Sequence, residues 1–558
     1  MRLAIAAFVL LIAASSEGAT IAASSCSRAD VGTAVTASSN GDTVTIPAGT
    51  CVWTSGLTIA KAITLQGAGI GNTIIQDGIV ARTTLIEWTL VANLNSRMTG
   101  IEFEDASGGA DNTNGVIKIT GANTDARRMR IDHVRFDDLH GFSVFAQDVL
   151  GVFDNNEYYQ NHNCSCVFIY VYHENWDGVT NSDASWSDPP NLGSEEFLFL
   201  ESSTFEYIFT PHRQYAITDA YRGARYIVRY NTIKNAWVEL HGTDSGGRKR
   251  GARAVEIYNN VFTCTLGEFC NLVANYRSGT GVIQNNTTTN YTSPAIALSV
   301  YRVFYPFDPW GAGDGTNSWD INLGGGPFAS GTATGGSTGT LVDSGASFSG
   351  LTGYVVRRTS CTGYCHSIIT SHTGTQLNFV DGGGYPALIT GTVAASPAPT
   401  TTTATVSGGG VTGFTVGENI KIPCSGGVVR RVTANTAGAI TWTPAATAPS
   451  ASDVICEADL TFVSGEGYQI YKPLELLDQP GRGQGTQLSG ESPTPANDQV
   501  DEPIYECNNG DIAFSVSYPV QIRENEHWFA DTCKPGYTPY AYPHPLVGSP
   551  PVRLRVRQ

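Results

Sequence analysis

An asparagine-containing unit recurs along the first half of this 558-residue chain at nearly regular intervals. The position two after the last Asn of each unit, or its equivalent, falls at 136, 158, 205, 233, 262 and 288. The intervals are 22, 47, 28, 29 and 26 residues, and 47 fits either two coils or one coil with a long loop. Three short strands and three turns occupy about this length, so the repeat predicts a stacked β-solenoid.

The residue types in the unit support stacking. Asn accepts the left-handed backbone geometry of a tight turn, and its side-chain amide can bond to the Asn of the next coil. Only 15% of the residues are charged and 62 are Gly, which is typical of many short strands and turns rather than of a helical bundle. We therefore expect an all-β fold.

Changes in amino-acid composition and sequence pattern divide the chain into four parts. A basic start, an apolar run and small residues predict a signal peptide over 1–25. The repeats predict a parallel β-helix over 26–326. Thr, Ser and Gly dominate 327–460, which reads as one or two inserted antiparallel β domains, and 461–558 returns to the coil pattern before a proline-rich tail that should pack outside the solenoid.

Twelve cysteines, an even number, in a chain with an export signal predict disulfides rather than metal sites. Their mostly local spacing suggests six bridges: Cys26–Cys51, Cys264–Cys270, Cys361–Cys365, Cys424–Cys456, Cys507–Cys533 and a strained Cys164–Cys166. A zinc site at Cys361, Cys365 and His366 is the weaker alternative, because no second ligand pair follows at close spacing.

The opening segments are the most specific part of the pattern. Gly41–Thr50 reads GDTVTIPAGT and Ile63–Gly69 reads ITLQGAG. Together with the Asn-turn coils, they resemble the pectate-lyase-like superfamily of right-handed parallel β-helices, over roughly 26–325 and 461–546. The resemblance implies the fold, and it implies a choice of activities that includes polysaccharide lyases, polygalacturonases, phage tailspikes and adhesins.

The formal net charge of −17 argues against a nucleic-acid partner, since phosphate binding needs a basic surface. One window has the opposite sign: 222–253 holds eight Lys and Arg residues and only two acids. Such a window could cradle an acidic polysaccharide, because Arg binds carboxylates in a bidentate manner. The competing interpretation is a surface segment whose arginines pair with acids of adjacent coils.

The reaction that suits this window is β-elimination from a uronate glycan, in which cations stabilise the enolate. The superfamily resemblance implies an Arg or Lys base, often with calcium held by acids. We therefore expect Arg250 or Arg253 as the base and His241 as acid or orienting group. The expected substrate contacts are Arg222, Arg248, Lys234 and Tyr221, and the expected calcium ligands are Asp219, Glu239 and Glu256.

A hydrolytic alternative uses Asp137 and Asp138, which follow Asp132-His133 and precede His140. Neighbours on a strand point to opposite faces, so both carboxylates reach one substrate only from a turn. Aromatic residues near 158, 170–176 and 301–310 could stack on sugars or pack a long loop.

The leading functional hypothesis is a secreted or cell-surface polysaccharide lyase with an acidic glycan as partner. The alternative is a non-catalytic glycan-binding protein, adhesin or filament subunit, and homo-oligomer formation is compatible with either. No later stretch of the sequence is apolar for long enough to predict a membrane span.

Overall fold

The computed structural model describes residues 18–548 with gaps. The gaps are 107–111, 113, 162–166, 209–213, 243–249, 266–269, 300–326, 338, 360–365, 380–389, 408–418, 424–427, 437, 444, 446, 458–459, 461, 472–477, 485–498 and 517–521. The expected signal sequence up to residue 17, Arg248 and the aromatic run 301–310 therefore lie outside the described residues.

The chain folds as a parallel β-helix, as the repeat predicts. Sheet A has twelve parallel strands: Thr20–Ala22, Thr43–Thr45, Thr64–Gln66, Asn95–Thr99, Arg128–Asp132, Gly151–Asp154, Leu198–Glu201, Arg225–Arg229, Ala254–Tyr258, Thr280–Gln284, Ile504–Cys507 and Trp528–Phe529. Sheet B has nine: Gly49–Trp53, Thr73–Asp77, Glu102–Asp105, Arg135–Asp137, Glu157–Gln160, Thr204–Tyr207, Thr232–Lys234, Val261–Thr263 and Thr287–Thr289. Sheet A already includes Thr20–Ala22, so the solenoid begins before the expected boundary at residue 25.

The third side of the solenoid is divided into two sheets. Sheet C contains Leu57–Ile59, Ile86–Thr89, Ile117–Thr120, Val144–Gln147, Ile169–Tyr172 and Thr218–Tyr221. Sheet D contains Tyr215–Ala216, Ala236–Leu240, Leu272–Tyr276, Ala295–Leu298 and Ala513–Val516. The amides of Ile217 and His241 bond across from one sheet to the other, so C and D form one continuous side.

The predicted repeat positions are in register in sheet B. Phe136 pairs with Tyr158, which pairs with Phe205, and the ladder continues through 233, 262 and 288. The 47-residue interval is thus one coil with a long excursion, which contains the helix Asp183–Ser187. Inside the solenoid, Phe136, Tyr158 and Phe205 form a stack with ring centroids 4.9 and 4.6 Å apart.

The Asn turns form the expected ladder. Asn155, Asn259 and Asn285 adopt positive φ, which lets the chain turn sharply from sheet A to sheet B. The following residue is buried in each turn: the Asn260 amide donates to Val228 O at 2.9 Å and to Asn286 Oδ1 at 3.0 Å. These bonds satisfy turn backbone groups that would otherwise be buried without partners.

Replacing Asn260 by alanine should lower the free energy of unfolding by about 2–4 kcal/mol, because it leaves a buried carbonyl and a buried amide without a hydrogen-bond partner. Replacing its neighbour Asn259 should cost only about 1 kcal/mol, the price of a left-handed backbone without Asn. Urea unfolding of both variants measures the difference, and equal losses would contradict the ladder's role.

Three of the predicted disulfides are confirmed: Cys26–Cys51, Cys264–Cys270 and Cys507–Cys533. The other three pairings each include a cysteine outside the described residues. The helix Arg28–Ala37, capped by the Ser27 side chain, packs Val31 and Val35 into the core at the N-terminal end.

The insert forms two antiparallel units with separate cores. One is a seven-stranded sheet in the order Ala329–Thr332, Gly467–Tyr471, Val355–Arg358, His366–His372, Gln376–Phe379, Thr340–Val342 and Gly335–Ser337. The other is a closed barrel of Thr390–Val393, Thr403–Ser407, Ala439–Thr443, Val428–Thr436, Asn419–Ile422 and Val454–Glu457. Because Gly467–Tyr471 belongs to the first unit, the insert's sheet extends past the expected boundary at 460.

Beyond the insert, Arg482–Gly483 pairs with Val500–Asp501, and the described part of the tail includes the short helix Pro545–Gly548. The tail lies along the outer face of sheet A, where Tyr540 O and Ala541 O accept from Arg229 at 2.8 and 2.9 Å. No helix among the described residues has the length and apolarity needed to cross a bilayer.

Candidate functional site

Sheets C and D present a line of polar and aromatic side chains outward. Strand alternation buries Thr218 and Ala220 and turns Asp219 and Tyr221 outward. One coil further on, Trp237, Glu239 and His241 face the same way, followed by Asn275 and Arg277. A cleft of about 350 Å³ is lined by Asp219, Trp237, Glu239, His241, Asn275 and Arg277, with Val167, Tyr215 and Ala216; we call it the Glu239 cleft.

Glu239 is held firmly at the centre of this cleft. Its side chain accepts from the Trp237 indole at 2.8 Å, and from the Asn275 amide at 3.0 and 3.1 Å. Arg277 forms an ion pair with it at 2.6 Å. Three N–H donors around one carboxylate fix its orientation.

A tyrosine cluster adjoins the Glu239 cleft. The Tyr172 hydroxyl donates to Tyr170 at 3.0 Å, and the Tyr170 hydroxyl donates to Tyr221. Burial raises the pKa of Tyr170 far above its ordinary value, and the negative charge of Asp219 raises it further. Burial likewise raises the pKa of Tyr172. Both phenols therefore stay protonated near neutral pH, so they act as hydrogen-bond donors and not as bases.

The two expected base residues lie elsewhere, inside the protein. Arg250 is 2% exposed and forms a bidentate pair with Asp478 at 2.6 and 2.7 Å, plus a contact with Asp183 at 3.0 Å. Burial lowers the pKa of its guanidinium, but Asp478 and Asp183 outweigh burial and hold it above the ordinary value. A permanently charged, enclosed guanidinium has no route to a substrate proton.

Arg253 is completely buried and pairs with Glu502 at 2.6 Å. Both arginines lie over the ring of Trp186, with guanidinium carbons 5.2 and 5.3 Å from its centroid. They therefore anchor the helix Asp183–Ser187 and the segments that follow the insert.

The basic window as a whole is compensated among the described residues. Arg222 pairs with Glu174, Arg229 with Glu201, and Lys234 with Glu206. Arg225 is buried, and burial together with the charge of Arg253 lowers its pKa to about 9. These described cations pair with acids of adjacent coils, as the competing interpretation holds, whereas Arg248 and Lys249 lie outside the described residues.

The three expected calcium ligands do not meet. Asp219 and Glu239 line the cleft, but Glu256 lies on sheet A beneath the tail, where it accepts from the Tyr537 hydroxyl and from Gly193 N at 2.6 Å. This part of the expectation is therefore corrected. The N–H groups of Trp237 and Asn275 and the Arg277 guanidinium already contact the Glu239 carboxylate, so the residues present do not fit calcium.

A different trio is the group in the described chain that comes within metal-binding distance: Asp501, Glu526 and His527. The backbone amide of Arg523 donates to His527 Nδ1 at 2.9 Å, which places the imidazole proton on Nε2 in the neutral ring. Nε2 then has no lone pair for a metal, so the trio does not suit one.

Burial raises the pKa of Glu256 from 4.5 to about 7, although Tyr537 and Gly193 partly offset this. Between these two values Glu256 binds more protons in the folded chain than in the unfolded chain, so its contribution to stability should fall as pH rises from about 4.5 to about 7. Glu256→Gln should flatten this slope in urea midpoints measured across that range. An unchanged slope would contradict the assignment.

The hydrolytic alternative is placed in a second depression, the acidic concavity, of about 440 Å³ and lined by Glu104, Asp105, Ala106, Asp137, Asp138 and His140. Asp138 has a φ of 48°, so the chain turns directly after Asp137 and both carboxylates reach one space. Burial, Glu104 and Asp138 raise the pKa of Asp137, while Arg135 lowers it. Asp132 is instead buried and bound to Arg97.

Sequence reasoning identified Asp219, Tyr221, Glu239 and His241 but missed Trp237, Asn275 and Arg277. Asp219, Glu239 and Asn275 are separated by 20 and 36 residues, which departs from the repeat and hides that they are neighbours. Outward alternation in consecutive coils is the signal that could have found them.

Comparisons with known proteins leave the site to be judged on its geometry. No protein-family model matches the chain, and no curated protein matches it. Among solved structures, Geobacillus virus E2 ORF18 is 16% identical, with 73% of this chain and 83% of that chain covered and a TM-score of 0.29. The enzymatically active domain of bacteriophage CBA120 tailspike protein 4 is 10% identical, with 78% and 64% covered and a TM-score of 0.15. These TM-scores are too low to assign an activity.

Proposed function

We propose that the chain is a carbohydrate-active β-helix protein that cleaves a glycosidic bond in the Glu239 cleft, most simply by hydrolysis. One observation carries the proposal: Asp219 and Glu239, from adjacent coils, face the same cleft beside an indole. Paired carboxylates are the usual machinery for glycoside hydrolysis, and aromatic side chains stack on the apolar faces of sugars.

The surroundings of the two carboxylates suggest different roles. Glu239, held in place by its N–H donors, takes the role of the carboxylate that stabilises the positive charge developing on the sugar ring. Asp219 takes the acid role: it protonates the leaving oxygen as the glycosidic bond breaks, and its carboxylate then takes the proton of the water that attacks the sugar carbon. Trp237 both orients Glu239 and offers its ring to the substrate.

The acidic concavity is the weaker hydrolytic site. It holds an acid with a raised pKa, but none of its described lining residues is a Phe, Tyr or Trp. A sugar bound there would gain no stacking energy. The Glu239 cleft combines both requirements.

Elimination from a uronate glycan is the second candidate, and the presence of Arg277 and His241 in the cleft favours it. A guanidinium can bind the substrate carboxylate, and an imidazole can remove the neighbouring proton. The base in this version is His241, with Arg277 in the role first expected for Arg222 and Arg248.

One assay separates the candidates. The protein is incubated with pectin, alginate, glycosaminoglycans and neutral plant and bacterial polysaccharides, with and without EDTA. New reducing ends without ultraviolet absorbance support hydrolysis, and absorbance of unsaturated uronate ends supports elimination. Unchanged rates in EDTA are expected, because the cleft does not suit calcium. Release of neither product from any polymer would overturn catalysis and favour the adhesin or filament alternative.

Secretion and self-association remain proposals. Disulfides suit an oxidising compartment, which is compatible with export. A glycan partner outside the cell would agree with the disulfides and with export.

A further inference from the structure

A second cavity lies on the same side of the solenoid, in more N-terminal coils. It has a volume of about 460 Å³, within the range of small-molecule sites, and we call it the Lys118 pocket. Its lining includes Thr58, Thr84, Glu87, Asn114, Lys118 and Phe145.

The pocket arises from a change of side-chain type along one outward column of sheet C. Thr58, Glu87, Lys118 and Phe145 are direct cross-strand partners on four consecutive coils. The next partner after Phe145 is Tyr170, whose ring stacks on Phe145 at 5.3 Å. The aromatic rings of Phe145 and Tyr170 thus fill the column on its C-terminal side. The non-aromatic side chains on its N-terminal side leave a depression.

The chemistry of the lining fits a polyol ring. The Lys118 ammonium lies 6.0 Å from the Phe145 ring centroid and 3.7 Å from the Glu87 carboxylate. A cation and an anion side by side match adjacent sugar hydroxyls, each of which can accept from Lys118 and donate to Glu87. Threonine hydroxyls and the Asn114 amide add neutral hydrogen-bonding groups, and Phe145 adds an apolar wall.

The charges in the pocket give no net attraction for an anionic sugar. Lys118 and Glu87 cancel, so an anionic sugar would gain one attraction and meet one repulsion at short range. With one carboxylate, Glu87, among the lining residues, the pocket lacks the carboxylate pair of the Glu239 cleft. A binding role therefore fits it, and catalysis does not.

The Lys118 pocket and the Glu239 cleft are close enough for one glycan chain to reach both. Lys118 and Asp219 lie in the same column, three strands apart, which corresponds to about 14 Å. A glycan chain that follows the solenoid axis could therefore occupy both places.

From these observations we propose that the Lys118 pocket is a non-catalytic binding site for a neutral sugar residue of the glycan processed at the Glu239 cleft. The proposal rests on the proposed function for the identity of that glycan. Binding can be measured without turnover, which keeps the two claims separable.

The test is affinity gel electrophoresis of the full chain carrying Glu239→Gln, so that no polymer is cleaved. The probes are galactomannan, arabinoxylan, mixed-linkage β-glucan and dextran as neutral polymers, and polygalacturonate and alginate as acidic ones. Lys118→Met and Phe145→Ala are then introduced separately into this background. Each should weaken retardation by a neutral polymer at least fivefold.

Arg135→Met is the matched control. Arg135 is as exposed as Lys118, with 31% against 32% for the side chain, pairs with Glu157 and lies 5.8 Å from the Tyr159 ring, but on sheet B outside the pocket. Its retardation should equal that of the parent. Lys118→Met changes no buried group, so it remains informative if Phe145→Ala lowers stability.

Three results would overturn the binding site: no retardation by any neutral polymer, retardation by acidic polymers alone, or equal weakening in the Arg135 control. Neutral binding that depends on Lys118, in a protein that releases no products from any polymer, would retain the site and reject the proposed catalysis.

Discussion

Replacing Glu239 with glutamine should lower kcat for glycan cleavage by about 10³-fold or more, because it removes the charge that stabilises the developing cation. Glutamine keeps the length of the side chain but cannot form the ion pair with Arg277. Initial rates on the polymer identified in the product assay measure the effect.

The matched control is Glu206→Gln, which also breaks a glutamate–cation pair, but on sheet B and away from the cleft. Its rate should stay within about twofold of the parent, and urea unfolding curves should show that both variants are folded under the conditions of the assay. A Glu239→Gln enzyme with near-parental activity would refute the cleft as the catalytic site.

The companion variant Asp219→Asn tests the acid role. Its rate on the polymer should also fall, but an aryl glycoside with an acidic phenol as leaving group needs little protonation and should recover much of the loss. Equal loss on both substrates would assign Asp219 to another role.

Removing the Asp478 side chain should destabilise the protein by about 3–5 kcal/mol, the second large effect we expect. Asp478→Ala leaves the guanidinium of Arg250 buried with its bidentate partner gone, while Asp183 offers a single contact. The free energy of unfolding in urea is the measurement.

Glu157→Gln provides the comparison, since its ion pair with Arg135 is about one-third exposed on both sides. A partly exposed pair of this kind contributes at most about 1 kcal/mol. If Asp478→Ala costs no more than this control, the buried pair does not hold the segment that follows the insert to the solenoid.

The same pair shows why the sequence could not decide between a basic surface patch and paired arginines. Arg250 is one of eight cations within 222–253, and its partner Asp478 follows it by 228 residues. Composition counts charges along the chain, whereas compensation occurs between coils and across the insert. The sequence could show the excess but not the partners.

The solenoid itself could be predicted, because its causes are local. Strand alternation, an Asn at each sharp turn and a repeat close to one coil in length specify stacking without knowledge of distant contacts. For the same reason the repeat positions in sheet B and three local disulfides were correct.

The candidate site depended on tertiary structure. Sequence alone determined that the chain is all-β, that it stacks coils and that Asp219, Tyr221, Glu239 and His241 carry chemically useful groups. Only the fold decided that these four share one side with Trp237 and Arg277, while Arg250 and Arg253 are enclosed. The physical reason is that the coils between residues 216 and 298 differ in length. Neighbours across strands in this region are therefore set by the hydrogen-bond register and not by sequence spacing.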